Sequence, residues 1–100
     1  MDSDNYLATG WGDSVENPNM DDVKKAILEN IAMDDEHGAF WVSINGDEYV
    51  MEVRKDLKIT FVFNDEISGE KYLDYWGEAE HLYERLLAGD YDAIREVLKG

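Results

Sequence analysis

One hundred residues, 44% hydrophobic and 12% aromatic, are enough for one domain with its own core, burying roughly 60–70% of the surface that the unfolded chain exposes. The lack of cysteine excludes disulfides, thiolate chemistry and cysteine-ligated zinc, and it suits a reducing cytoplasm. Twenty-four acidic residues against nine basic ones leave a formal net charge of −15, a field that repels nucleic acid and anionic membrane and speeds encounter with a basic partner.

The charge is unevenly spread along the chain. Residues 1–37 hold ten acids and two bases, residues 38–64 four and three, and residues 65–100 ten and four, for nets of −8, −1 and −6. No run approaches the ~20 apolar residues of a membrane-spanning helix. The acidic start Met1-Asp2-Ser3-Asp4 is the opposite of a signal peptide's basic opening. A soluble, cytoplasmic protein is the expectation.

In chain order, residues 1–18 read as a partly ordered N-terminal arm, with Tyr6 to Thr9 able to add a short edge strand and Gly10, Gly12 and Asn17-Pro18 marking loop. Trp11, set between two glycines, is expected to pack over a sheet edge or a helix end. Asn19 is a good helix N-cap, Asp21 and Asp22 suit the positive end of the helix dipole, and Met20, Val23, Ile27 and Ile31 form an apolar stripe widened by Ala26 and Leu28. This helix should end near Met33, before Asp34-Asp35-Glu36-His37-Gly38.

Ala39 to Phe63 contains three runs rich in β-branched and aromatic residues, separated by short polar turns, and reads as three consecutive antiparallel strands. A type I′ turn at Asn45-Gly46 would pair Ile44 with Asp47, Val42 with Tyr49 and Phe40 with Met51. A three-residue connection, Arg54 to Asp56, would pair Val53 with Leu57 and Met51 with Ile59. Phe40, Val42, Ile44, Tyr49, Met51 and Val53 then share one face, on which the first helix must lie. The other face is mixed, holding Trp41, Val50, Thr60 and Val62 beside Ser43, Glu48, Glu52, Arg54 and Lys58, with Glu52 opposite Lys58 in a pair worth ~0.2–1 kcal/mol. It is either solvated, with Trp41, Val50 and Val62 as an apolar stripe, or partly covered by another element.

Asn64 to Gly69 reads as a turn region containing Ile67, and Glu70 to Trp76 as a fourth strand or extended segment. From Glu78 the period becomes helical through Ala79, Leu82, Tyr83, Leu86 and Leu87 to Gly89, and Asp90 caps a last helix bearing Tyr91, Ile94, Val97 and Leu98. The expected architecture is therefore a single α+β domain over residues 1–100. It comprises an antiparallel meander of about four strands, one N-terminal helix packed on a face, and a C-terminal helical hairpin.

The residues argue against chemistry. Asp34-Asp35-Glu36-His37 puts four potential ligands in a row, but consecutive side chains diverge and the spacing is not that of an EF-hand loop. His81 and Glu84 can meet at i, i+3, yet a metal site would need partners from a second helix, and the first helix offers no histidine. No nucleophile-and-base arrangement and no phosphate-cradling loop is visible, so no catalytic residue, metal or cofactor is expected. The bases form no stripe for nucleic acid. Tyr72, Asp74, Tyr75, Trp76, Glu78, Glu80 and Tyr83 instead interleave rings with carboxylates, which suits a hot-spot patch for a basic protein. Trp41 joins them as candidate partner-binding residue, because an open second sheet face would invite docking or weak homodimerisation.

A small, acidic, cysteine-free domain with Asn17-Pro18 just ahead of its first amphipathic helix and a strand meander carrying Phe40-Trp41-Val42-Ser43 resembles the immunity proteins of bacterial polymorphic toxin and contact-dependent inhibition systems. The resemblance implies a cytoplasmic protein without activity of its own, which binds a cognate toxin domain, commonly a basic nuclease, and blocks its active site or substrate path. A different reading is a small-molecule-binding or regulatory α+β domain that uses the cavity between first helix and sheet.

Overall fold

A computed structural model describes residues 5–99; the Met1–Asp4 start lies outside the described residues. The elements in chain order are β1 (Tyr6–Thr9), β2 (Ser14–Glu16), α1 (Met20–Ala32), β3 (Ala39–Ile44), β4 (Tyr49–Arg54), β5 (Lys58–Phe63), β6 (Glu66–Tyr72), α2 (Trp76–Ala88) and α3 (Tyr91–Lys99). The fold is α+β. Among the described residues the strands form one six-stranded antiparallel sheet in the order β2-β1-β3-β4-β5-β6.

The two extra strands come from the N-terminal arm, which is a hairpin added beside β3. Leu7 pairs with both Val15 and Val42, so β1 is an inner strand and β2 the edge. The Gly10-Trp11-Gly12 turn is tied by Thr9, whose backbone N–H donates to the Asp13 carbonyl at 3.0 Å and whose Oγ1 accepts from the Asp13 N–H at 2.8 Å. Trp11 is half-buried against the core, and its indole N–H donates to Asp13 Oδ2 at 3.2 Å.

Both central registers are shifted from the expected ones. Ile44 pairs with Tyr49, Val42 with Met51 and Phe40 with Val53, because the β3–β4 loop spans residues 45–48 rather than two residues. Asn45, Gly46 and Asp47 all have positive φ (54°, 63° and 73°). Asp47 turns back onto the sheet, where its carboxylate accepts from the Ser43 hydroxyl and, at 2.9 Å, from the Tyr6 hydroxyl. The β4–β5 connection is three residues long but sits one residue later, with Leu57 at φ 70°, so Val53 pairs with Ile59 and Met51 with Phe61. Each pairing moves by two residues, an even step that leaves every side chain on its expected face. The cross-strand partners do change: Glu52 faces Thr60, whereas Lys58 faces Tyr72.

The fourth strand of the meander starts earlier than the Glu70–Trp76 reading placed it. Asn64 and Asp65, at φ 51° and 66°, make a tight turn of the kind expected at Asn45-Gly46, and β6 leaves it at once. The strand is spent by Tyr72, and the chain is helical from Trp76.

All three helices lie on the face bearing Phe40, Val42, Met51, Val53, Ile59 and Phe61, which are fully buried. α1 starts at a reciprocal capping box in which Asn19 Oδ1 accepts from the Asp22 N–H (3.0 Å) and Asp22 Oδ2 from the Asn19 N–H (2.9 Å). Its buried positions are Val23, Ala26, Ile27 and Asn30, while Leu28 and Ile31, assigned to the stripe from the sequence, are 71% and 44% exposed. The centre of the sheet belongs to α2 instead. The Tyr83 ring stacks on Phe40 (centroids 5.1 Å apart, 24° between planes), and its hydroxyl donates to the Met51 carbonyl at 2.9 Å. Gly89, at φ 80°, ends α2 as expected of a left-handed cap. α3 covers β5 and β6, with Tyr91 stacked on Tyr49 at 3.7 Å and the Arg95 guanidinium 5.3 Å above the Phe63 ring. Leu98 lies so close to Gly69 that a Cβ there would come within 2.9 Å of it.

Candidate functional site

With the helices on one side, the other face of the sheet is open among the described residues. Strand alternation brings two rows of side chains onto it. Tyr6, Ser43, Val50, Val62 and Ile67 form one row, and Ala8, Trp41, Glu52, Thr60 and Glu70 the next. Where the rows meet at the sheet centre, Trp41, Val50, Glu52, Thr60 and Val62 line a shallow groove of about 260 Å³. Further out, Ile67 and Tyr72 are 64% and 62% exposed.

The groove is polar at one point. Lys58 lies 3.8 Å from Glu70 and 6.0 Å from the centre of the Tyr72 ring, and Arg54 pairs with Asp56 at 3.1 Å. The two cations nearest along the strands are thereby engaged elsewhere. The Glu52 side chain makes no hydrogen bond or ion pair among the described residues. Beside the groove, Tyr6, Ser43 and Asp47 form a hydrogen-bonded group. The Ser43 and Tyr6 hydroxyls hold the Asp47 carboxyl below its usual pKa, while burial and then the hydrogen bond to Asp47 push the Tyr6 hydroxyl up.

Charge is also divided between the two ends of the strands. The β3–β4 loop, the β5–β6 turn and the α2–α3 link carry Asp47, Glu48, Asp65, Glu66, Asp90 and Asp92 without a lysine or arginine in residues 45–48, 64–66 or 90–92. These segments gather at one end: the Asn64 N–H donates to the Glu48 carbonyl at 3.0 Å, and Tyr91 lies on Tyr49. Arg85 and Arg95 reach Asp90 and Asp92 at 3.4 and 3.3 Å, leaving the two sheet turns without an ion-paired cation among the described residues. The opposite end is mixed, with Arg54, Lys55 and Asp56 in one loop and Lys71 close by on β6.

The residues singled out from sequence do not form one surface. Trp41, half-buried, and Tyr72 share the open face. Asp74 and Tyr75 are exposed in the β6–α2 connection, where the Asp74 N–H donates to Glu78 Oε1 at 2.8 Å. Trp76 and Glu80 are half-buried at the start of α2, Trp76 against the core. Tyr83 is wholly buried. Glu52 and Thr60 lie on the face expected of them, beside Trp41, Val50 and Val62, but the expected register paired Glu52 with Lys58 and so hid the groove that Glu52 and Thr60 complete as direct neighbours.

Asp34 caps its own turn: its Oδ1 accepts from the His37 N–H at 2.9 Å and lies 3.0 Å from Nδ1, and chiefly the first of these contacts lowers its pKa. Among the described residues, no three His, Asp or Glu side chains come together as a metal site, and no helix is long and apolar enough to cross a membrane. Between α1 and the β1–β2 hairpin lies a cleft of about 280 Å³, lined in part by Leu7, Val15, Asp22, Lys25 and Glu29. Compared with family models, curated proteins and solved structures, the chain matches none.

Proposed function

We propose that this chain is a non-catalytic, acidic binding protein that neutralises a basic, nuclease-type toxin domain in the cytoplasm by protein–protein contact, docking through the open sheet face. The observation that carries the reading is the groove around Trp41, an apolar patch at the centre of an uncovered sheet in a chain of net charge −15. Aliphatic and aromatic side chains supply area for a hot spot, and the carboxylates at the turn end and on the face speed and orient the approach of a cationic surface. Carboxylates placed where a nuclease binds phosphates would block its substrate path. Like charge opposes self-association, so the protein works as a monomer or weak dimer.

The test is co-expression with the neighbouring reading frame. That neighbour should be toxic alone and harmless in the presence of this chain, and the purified pair should form a complex that weakens steeply with added salt. A neighbour that is harmless alone, or equally toxic with this chain present, overturns the reading. The α1–β1–β2 cleft favours a second reading, a small-molecule site between first helix and sheet, in which Lys25 among acids offers the polar contacts. A metabolite that raises the melting temperature, with no response to basic proteins, would select it.

A further inference from the structure

We infer that the groove between Trp41 and Glu52 receives an arginine side chain of the partner; the inference rests on the reading that the partner is a basic protein. Trp41, Glu52 and Thr60 are direct neighbours across three strands, and Val50 and Val62 pair in the adjoining row. At about 260 Å³ the groove is smaller than the ~300–1,000 Å³ of sites for whole drug-sized ligands. It is of the size for one long side chain.

Its chemistry selects the occupant. Glu52 is half-buried, and among the described residues its carboxylate has neither a counter-ion nor a hydrogen bond to replace the hydration it loses. A guanidinium set against the indole of Trp41 would stack on it and present two parallel N–H donors to the carboxylate, with the Thr60 hydroxyl as a further acceptor. The methylene stem would lie along Val50 and Val62. A lysine ammonium is a compact point charge that can neither stack nor fork, which is why arginine is the better fit. A second copy of this chain is a poor occupant. Its three arginines, Arg54, Arg85 and Arg95, are all ion-paired, to Asp56, Asp90 and Asp92.

The experiment titrates the native protein with a neutral-flanked pentapeptide carrying a central arginine, followed by NMR at the Trp41 indole and the Glu52 side-chain carboxyl. The same peptide with lysine, or with the uncharged isostere citrulline, serves as comparison. The arginine peptide should shift both signals saturably and the citrulline peptide neither. Glu52→Gln should weaken binding about tenfold, the scale of a charge-assisted pair, and Trp41→Leu about two- to fivefold. Equal binding of the lysine peptide, unchanged binding to Glu52→Gln, or shifts confined to the Asp65-Glu66 turn would overturn the assignment, and so would a dimer in which Trp41 is shielded. Because the titration of native protein needs no variant, it stands even where a substitution impairs folding. The two readings also separate. Neutralisation of a basic toxin without arginine binding in the groove defeats this inference alone, whereas arginine binding abolished by Glu52→Gln, with no toxin neutralised, supports it and defeats the proposed function.

Discussion

Tyr83 joins the helical layer to the sheet, and removing its hydroxyl is a sharp test of that arrangement. The side chain is wholly buried, its ring lies on Phe40, and its hydroxyl donates 2.9 Å to the Met51 carbonyl. Tyr83→Phe keeps the ring and loses one buried hydrogen bond, a change worth about 1 kcal/mol. In a domain of this size that lowers the melting temperature by about 4–8 °C. Tyr83→Leu also loses the stacked pair, a further ~0.5–1.5 kcal/mol. A cycle with Phe40→Leu should return that coupling.

The hydroxyl has a second signature. Burial, then the Glu52 charge, pushes its pKa well above the ordinary tyrosine value. A raised folded-state pKa means that stability is fully present below the unfolded value near ~10 and is lost as pH rises from there towards the folded value. The native protein should therefore lose stability relative to Tyr83→Phe on going above about pH 10. Urea unfolding followed by circular dichroism at neutral and alkaline pH measures both effects. A Tyr83→Phe variant as stable as the native protein, or a Tyr83 that titrates in the folded state at the ordinary value, would refute the placement of α2.

The remaining predictions concern the edges of the fold. Asn19→Ala removes one half of the capping box and should cost about 0.5–2 kcal/mol in a thermal melt, with a smaller loss for Asn19→Gly. Gly89→Ala places a Cβ at φ 80° and should destabilise by about 1–2 kcal/mol; an Ala variant of unchanged stability would contradict the left-handed cap. For Asp47, whose folded-state pKa is depressed, the stabilisation is present above the usual carboxylate value near ~3.9 and is lost as pH falls through the folded value. Asp47→Asn should accordingly be less stable than native at pH 7 and converge with it in acid, whereas a gap that persists in acid would place the effect elsewhere.

Much of the fold was legible because side-chain alternation is robust to small errors in pairing. The inner face carrying Phe40, Val42, Met51 and Val53 follows from period two alone, and shifting the β3–β4 and β4–β5 registers by two residues leaves it intact. Helix ends were legible where a cap has its own chemistry, at Asn19 and Gly89. The illegible parts depended on long-range contacts. Asn45-Gly46 looked like the tight turn, but Asp47 is drawn back by Ser43 and by Tyr6, a residue 41 positions away, while Asn64-Asp65 took the two-residue turn without a glycine. Tyr6–Thr9 was readable as a short edge strand, but β2, three residues long, carries too little pattern to stand out, and by pairing with β1 it turns that strand into an inner one beside β3. In α1 the buried row runs through Asn30 rather than Ile31, which the apolar pattern could not foretell. The groove suffered most: Trp41, Val50 and Val62 were visible as a stripe, but Glu52 became its unpaired member only once the true register set Thr60 opposite it.

The most direct measurement is amide hydrogen exchange of the protein alone and in complex with the basic toxin domain proposed as its partner. Slowed exchange is expected across β3, β4 and β5 and in the Asn45–Glu48 and Asn64–Glu66 turns, together with protection of the Trp41 indole from iodide quenching in a Trp11→Phe, Trp76→Phe background. Protection confined to the outer surfaces of α1, α2 and α3, with Trp41 equally quenched free and bound, would contradict the assignment of the open sheet face as the docking surface.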